Sequence, residues 1–336
     1  MKKSILITMV LTSSLMSAVA QINGGPVNVP VDGVVDGVYV KEHIPTKRLI
    51  PYEYVREADY IWSNRVWSYI DLREKINLPL YYPLDDITMT GDWIRNNSRW
   101  SLWTIIRNHV ITGDLRVFSA YNPNNVFGEK DGDQLKYPVD PELGLNFKTD
   151  SVFREKMVFY LGKLGPQSDI PLTDEFGDPI EITLPDGSIT FKYPPQDTLW
   201  YTSKDIVQYR LKTDWFFDKE RSVLDQRIIA IAPVAYETEE SNGVTSIKGY
   251  KELFWLYYPQ CRYVFNNYYV YNDKNDAQWM SFDDLFWKRR FTEVAYKESN
   301  TYDRTIETYA TGMDALLESE RVKDEIRTLE HDMWHF

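Results

Sequence analysis

Three pairs of adjacent carboxylates are the residues of this sequence most suited to chemistry. They are Asp85-Asp86, Glu239-Glu240 and Asp283-Asp284. A glycoside hydrolase uses two carboxyl groups roughly 5–10 Å apart, one as general acid and the other as base or nucleophile. However, Ser281 and Asp284 have the spacing of a capping box, which predicts a helix N-terminus that carboxylates stabilise. Because no complete acid–base set accompanies the pairs, we prefer the structural interpretation.

Other catalytic and metal-binding patterns are incomplete. His331 and His335 would share one face of a helix, but the acids beside them do not complete a His-Glu-x-x-His motif. The acidic loops at 131–133 and 174–178 lack the ligand spacing of a calcium loop. Cys261, the single cysteine, is expected to be a small buried side chain. The sequence therefore predicts no catalytic residue, no metal site and no cofactor.

The composition is that of a folded chain rich in aromatic residues. Of 336 residues, 43% are hydrophobic and 15% are aromatic, and the formal net charge is −12. A chain this acidic lacks the basic surface that nucleic-acid phosphates require, so we expect no nucleic-acid partner. Tyrosine and tryptophan are enriched in protein interfaces, and their abundance here favours a protein partner.

Residues 1–20 have the organisation of a secretory signal peptide. Two lysines precede an apolar segment at 5–16, and Ala18-Val19-Ala20 fits the cleavage pattern. The apolar segment is shorter than the about 20 residues that span a bilayer. We therefore expect a secreted chain that starts near Gln21 and does not insert directly into a membrane. No cysteine lies at the cleavage site, so we expect that any lipid anchor belongs to a partner.

Residues 21–51 are predicted to form an extended N-terminal arm. Glycine-containing turns alternate there with valines, a pattern typical of strand-forming segments. Such an arm can add a strand to the sheet edge of a neighbouring subunit. Folding back on its own domain is an equal alternative. The candidate contact residues of the arm are Val29, Val31, Val38 and Tyr39.

The remaining sequence predicts an α+β fold with mixed helices and short antiparallel sheets. Apolar spacing predicts helices over 57–75, 101–111, 152–164, 213–227, a helix from 281, and 302–334. Apolar runs predict strands at 115–121, 228–236, 252–258 and 262–271, and Asp186-Gly187 predicts a hairpin turn within 180–193. A gapped similarity between 59–64 and 214–219 suggests two related α+β halves, 52–165 and 166–336, the second carrying the C-terminal helices.

Four tryptophans are the candidate anchors of an interface on the folded part. They are Trp62, Trp67, Trp100 and Trp103. Interface binding energy is concentrated in Trp, Tyr and Arg residues, which favours such a role. Tryptophans at helical spacing more often lie in the core, so burial is the stronger alternative for each.

Several segments resemble one known family. Residues 36–67 contain His43-Ile-Pro-Thr-Lys47, and residues 70–83 contain Leu78-Pro-Leu-Tyr-Tyr-Pro83. Together with Asp214-Trp-Phe-Phe-Asp-Lys219, these segments resemble the gliding-motility protein family GldN, called PorN in non-gliding relatives. The resemblance extends over essentially the whole chain after the signal peptide.

The resemblance implies a non-enzymatic periplasmic component of the type IX secretion system. Members of this family bind an outer-membrane lipoprotein of the GldK or PorK type, associate with themselves in a ring, and contact the periplasmic part of the proton-driven GldL–GldM motor. That implies a location at the inner face of the outer membrane. Two other classes remain open from the residues alone: an envelope carbohydrate-active hydrolase and a monomeric periplasmic glycan-binding module.

Overall fold

The computed structural model describes most of the chain after residue 47. The described residues are 48–88, 92–96, 99–122, 134–142, 144–145, 147, 149–165, 170–173, 179–183, 189–194, 198–241, 244–272, 274–275 and 280–333. The predicted signal peptide and most of the predicted arm, including Val29, Val31, Val38 and Tyr39, lie outside them. The same holds for the loop at 131–133, the turn at 186–187 and His335.

The described elements confirm the predicted α+β class. The helices are α1 Leu78–Tyr81, α2 Leu102–Thr112, α3 Ser151–Leu161, α4 Tyr258–Phe265, α5 Phe282–Trp287 and α6 Met313–Met333. The strands are β1 Tyr60–Asp71, β2 Asp86–Ile87, β3 Trp93–Ile94, β4 Val117–Ser119, β5 Tyr137–Val139, β6 Gly162–Leu164, β7 Glu181–Thr183, β8 Ile189–Phe191, β9 Thr198–Trp200, β10 Ile206–Asp218, β11 Val223–Ser241, β12 Val244–Glu252, β13 Trp255–Tyr257, β14 Tyr269–Val270, β15 Met280–Ser281 and β16 Val294–Glu298. The chain divides into two compact units, one formed by the residues up to Pro138 and from Thr202 onward, the other by Val139–Tyr201.

An eight-stranded sheet is the framework of the first unit. Its strand order is β16-β1-β10-β11-β13-β4-β5, with β12 paired to the C-terminal half of β11. Long antiparallel ladders join β1 to β10 and β10 to β11. In the first ladder Arg65 lies opposite Asp214, and their side chains form a two-point ion pair of 2.6 and 2.8 Å. The two segments whose similarity suggested related halves are thus neighbours in one sheet, and the division into halves stays a prediction.

Two predicted helices, 57–75 and 213–227, are wrong, because the chain forms strands of this sheet there and parts of those strands are buried on both faces. Residues 60–71 form β1, in which the consecutive residues Val66 and Trp67 are both buried. Two-sided burial removes the polar–apolar alternation that marks a strand, so its apolar residues imitate helical spacing. The second segment contains the end of β10, a turn at Ser222 with φ of +52°, and the start of β11.

The predicted strand at 262–271 is also wrong for its first half. The chain forms α4 there, with Pro259 in the first turn, where the missing proline N–H costs no hydrogen bond. Cys261, Val264 and Phe265 on this helix are buried, as the side chains of an amphipathic helix are. Only Tyr269–Val270 of the predicted segment is strand.

The predicted starts of two helices, near residue 101 and at residue 281, are confirmed, and capping contacts fix both. The Ser101 hydroxyl accepts from the Thr104 N–H at the start of α2, and Gly113, with φ of +88°, ends that helix. At α5 the Ser281 hydroxyl accepts from the Asp284 N–H, and the Asp284 carboxylate accepts from the Ser281 N–H. Both arrangements satisfy backbone groups that lack partners within the helix.

The C-terminal helix α6 covers the β16 edge of the sheet. Val322 and Ile326 pack against Val66 of β1 and Ala295 of β16. The Ser319 hydroxyl accepts from the Ala295 N–H at 2.8 Å, so a backbone donor of the outermost strand is satisfied by the helix. Covering an edge strand in this way prevents uncontrolled pairing with other chains.

The described residues of the second unit form one helix and two small strand pairs. Asp150 begins α3, because its carboxylate accepts from the Val152 and Phe153 N–H groups at 3.0 Å. Strand β6 pairs with β9, and β7 pairs with β8. The second of these pairs confirms the predicted hairpin, with Ile182 opposite Thr190.

Candidate interaction surfaces

The four candidate tryptophans have different environments. Trp67 is 6% exposed and packs with Ala230, Ala232 and Trp255, while Trp103 is 1% exposed and its ring centroid lies 6.2 Å from that of Phe254. These two rings are core residues of the chain. Trp62 is partly buried beside α6, and Trp100 is partly buried at the start of α2. An interface role remains a prediction for all four tryptophans. Of the four, Trp62 and Trp100 retain appreciable accessible surface for such a role.

Trp100 belongs to a stack of aromatic rings and guanidinium groups. The Arg95 guanidinium carbon lies 4.7 Å from the ring centroid of Trp93 and 4.5 Å from that of Trp100. Trp100 in turn stacks on Tyr268, with ring centroids 5.3 Å apart and planes inclined by 25°. Arg107 lies 4.5 Å from the Trp93 ring at the buried end of the stack. We call the residues Trp93, Arg95, Arg107, Trp100 and Tyr268 the arginine–aromatic stack.

Buried polar contacts hold this stack to the core. The indole N–H of Trp93 donates to Asp85 at 2.7 Å, and Asp85 also accepts from the backbone N–H of Ser203 at 2.6 Å. Asp85 is only 2% exposed. Burial lowers the pKa of Arg107, and the nearby Asp85 carboxylate opposes that shift. Trp93 and Arg107, the inner part of the stack, therefore lie against the buried carboxylate of Asp85, which is itself held by the Ser203 backbone.

His109 closes the other end of the stack. Its Nδ1 lies 2.6 Å from the Asp114 carboxylate, and its Nε2 lies 2.8 Å from the Tyr268 hydroxyl. Burial raises the pKa of Tyr268 to about 12. The Thr112 hydroxyl also donates to Asp114, at 2.7 Å. The Asp114 carboxylate therefore contacts both Thr112 and His109 at the C-terminal end of α2. The arrangement fixes these side chains at the C-terminal end of α2.

A second cluster fixes the segment that follows the predicted arm. The Tyr52 ring stacks on Trp287, with centroids 5.4 Å apart, and the Arg262 guanidinium carbon lies 4.2 Å from the Tyr52 centroid. Arg262 donates to the Ile50 carbonyl at 2.7 Å. Arg227 donates to the Glu53 carbonyl, so two arginines hold the backbone on either side of Tyr52.

The Tyr52 cluster rests on a buried ion pair. Arg262 donates to both oxygens of Asp283, at 2.8 and 3.1 Å, and the two side chains are 3% and 9% exposed. Burial raises the pKa of Tyr52 to about 12, while the positive charge of Arg262 acts in the opposite direction. We call Tyr52, Arg262, Asp283 and Trp287 the arm anchor.

Two of the three carboxylate pairs have structural partners. Asp85 supports the stack, and Asp86 forms an exposed ion pair of 2.9 Å with Lys204. Asp283 pairs with Arg262, and Asp284 completes the predicted capping box. Nothing is described for the side chains of Glu239 and Glu240. These contacts account for the described pairs without an acid–base role.

The remaining candidate groups are separate from one another. Cys261 is buried, and burial raises the pKa of its thiol well above the ordinary value. His331 is exposed on the last turn of α6. Over the described ranges, no cluster of three or more His, Cys, Asp or Glu residues could hold a metal ion. Within the same ranges, no helix is both long enough and apolar enough to cross a membrane.

Sequence reasoning did not predict either the arginine–aromatic stack or the arm anchor. The first had one local signal, because Trp93, Arg95, Arg99 and Trp100 fall within eight residues. The arm anchor had no local sequence signal, since Tyr52 is distant in sequence from Arg262 and Trp287 and contacts them only in the folded chain.

A protein-family model matches most of the chain. The family model described as gliding motility associated protein GldN matches residues 55–335. That range contains all of the second unit, most of the first and the whole arginine–aromatic stack, together with every member of the arm anchor except Tyr52. No curated protein matches the chain.

Proposed function

Because the chain belongs to the GldN family of gliding-motility-associated proteins, we propose that it is a non-enzymatic structural component of the periplasm. The family is one of gliding-motility and type IX secretion components. The observation that carries the proposal is the extent of the match, which covers residues 55–335. The structural roles of the described carboxylate pairs support a scaffold rather than a hydrolase.

In this proposal the chain forms a ring at the inner face of the outer membrane. It associates with further copies of itself and with a lipoprotein of the GldK or PorK type. It also couples this ring to the periplasmic part of the proton-driven GldL–GldM motor. Exposed apolar side chains at the beginning of α6, namely Met313, Leu316 and Leu317, support a role in protein contacts.

We further propose that the arm clasps a neighbouring subunit or the lipoprotein. The arm anchor supports this, because it fixes Ile50 and Tyr52 to α4 and α5 and so sets the point from which the arm starts. The valines between residues 27 and 40 could then add a strand to a partner's sheet edge. Heterologous contacts of this kind close into a ring when the rotation between subunits permits.

A genetic replacement tests the role in the machinery. In the organism that carries this chain, deletion should abolish gliding or type IX secretion, and the intact chain should restore it. Asp85→Asn and Asp86→Asn variants that fold should also restore it, because the proposal requires no acid catalysis. Loss of secretion with a folded Asp86→Asn variant would argue for the hydrolase alternative.

Deleting residues 27–40 tests the clasp separately. The truncated chain should remain folded and soluble but fail to enter the assembly. A matched control replaces the same residues with a Gly/Ser linker of equal length, which keeps the spacing and removes strand-forming capacity. Normal assembly of either variant would contradict the clasp.

A further inference from the structure

We propose that Arg95 and Arg99, with the rings that support them, form a docking site for a short acidic peptide segment of a partner protein. This goes beyond the proposed function, because peptide binding would hold whether or not the chain assembles into a ring. The site lies on the outer side of the arginine–aromatic stack, where Arg95 is exposed and Arg99 is half-buried.

The two arginines are held by stacking rather than by ion pairs. Arg95 contacts the rings of Trp93 and Trp100, and Arg99 lies 4.8 Å from the ring centroid of Tyr271. Among the described residues, neither has a carboxylate within ion-pair distance. The one side-chain hydrogen bond of Arg95 there is to the Asn108 amide oxygen, at 3.2 Å. In contrast, Arg65, Arg210 and Arg262 of the same unit each pair with a carboxylate of this chain.

Stacking leaves the hydrogen-bonding edge of a guanidinium available. A guanidinium that lies over a ring uses its flat face, while its N–H groups point outward in its own plane. These groups match the geometry of a carboxylate and bind it at two points. The contacts of Trp93 with Asp85 fix the support beneath Arg95, which lowers the entropy cost of ordering the side chain on binding.

The charge of the chain favours an acidic peptide over other anions. A long polyanion or an anionic membrane would extend beyond this patch and be repelled by the rest of the chain, whose net charge is −12. A segment with a few carboxylates would contact the arginines alone. Tyr271, whose side chain is 46% exposed, and the half-buried Trp100 offer apolar surface beside them. We therefore expect an acidic segment that also carries apolar or aromatic residues.

The test is fluorescence anisotropy of a fluorescein-labelled hexaglutamate peptide with the full chain at low salt. Arg95→Gln and Arg99→Gln should each weaken binding at least fivefold. Arg95→Lys should weaken binding at least threefold, because an ammonium group lacks the planar fork. The matched control is Arg304→Gln, since Arg304 is exposed and also stacks on two rings, those of Tyr302 and Tyr309. That variant should stay within twofold of the unchanged chain.

A charge-reversal variant distinguishes the loss of the binding site from misfolding of the chain. Arg95→Glu with Arg99→Glu should abolish hexaglutamate binding and strengthen the binding of a labelled hexalysine peptide at least fivefold relative to the unchanged chain. Three results would overturn the proposal: no hexaglutamate binding by the unchanged chain, equal weakening by Arg304→Gln, or Arg95-dependent binding only to vesicles of anionic lipid. None of them would bear on secretion or on assembly, which the proposed function predicts separately.

Discussion

The Arg262 guanidinium carbon lies 4.2 Å from the centroid of the Tyr52 ring, and the same guanidinium pairs with the buried carboxylate of Asp283. A residue next to the predicted arm is thereby tied to the first turn of α5. The contact gives the predicted extended arm a fixed starting point. The proposed clasp depends on the arm anchor, because the anchor fixes the point from which the arm starts.

Removing Arg262 should destabilise the chain strongly. Arg262→Met leaves the Asp283 carboxylate buried without its cation, which costs about 3–5 kcal/mol in comparable sites. The free energy of unfolding in urea measures the loss. The double variant Arg262→Met with Asp283→Leu should recover much of the stability, because no uncompensated charge remains. Equal losses in both variants would show that the ion pair is not the source.

Tyr52 should make stability depend on alkaline pH. Its pKa is raised from 10.0 to about 12 in the folded chain, so folding favours the protonated phenol. This contribution is fully present below pH 10 and is lost as the pH rises from 10 to 12. Tyr52→Phe should flatten that part of the stability curve. The control is Tyr54→Phe at a side chain that is 89% exposed, and it should leave the curve unchanged.

The attachment of α6 to the sheet should depend on its inner face. Ile326→Ala removes a side chain that packs beside Val66 and should cost about 2–5 kcal/mol. Leu317→Ala, at a side chain that is 62% exposed, is the matched control and should change the free energy of unfolding by less than about 0.5 kcal/mol. Both values come from urea titration. Similar costs for the two helix positions would contradict the described packing.

Asp85 and Asp86 should behave differently although they are adjacent. Asp85→Ala leaves the Trp93 indole N–H and the Ser203 N–H without an acceptor, so it should destabilise the chain by about 1–3 kcal/mol for each group lost. Asp86→Ala removes only an exposed ion pair with Lys204 and should leave the stability nearly unchanged, because solvent screens an exposed pair. Thermal unfolding distinguishes the two. A pair with equal effects would be inconsistent with the burial of Asp85.

Signals confined to one turn or hairpin were sufficient to predict part of the fold. Ser281 with Asp284 predicted the start of α5, because capping is local chemistry, and Asp186-Gly187 predicted the hairpin whose strands β7 and β8 pair. Strand β1 was mistaken for a helix because both faces of its C-terminal half are covered, which depends on residues far away in the sequence. Aromatic and β-branched residues around Trp67 favoured the strand and should have decided the question.

The sites were harder to predict than the elements. Trp100 was a candidate anchor, and the structure gives it Arg95 and Tyr268 as stacking partners. Tyr268 lies on a distant part of the chain, so no spacing rule could have joined these residues. Trp67 and Trp103, chosen by the same residue-type argument, are core residues. Residue type identifies which side chains can anchor an interface, while burial decides which of them are available.

The most direct test of the central claim is the native mass of the chain captured from envelopes. A C-terminally tagged chain is recovered from gently solubilised envelopes, sized under native conditions and analysed by mass spectrometry. The account predicts a particle many times heavier than the 39.6 kDa chain that contains a lipoprotein and multiple copies of the chain. Recovery of the chain alone as a monomer would contradict it.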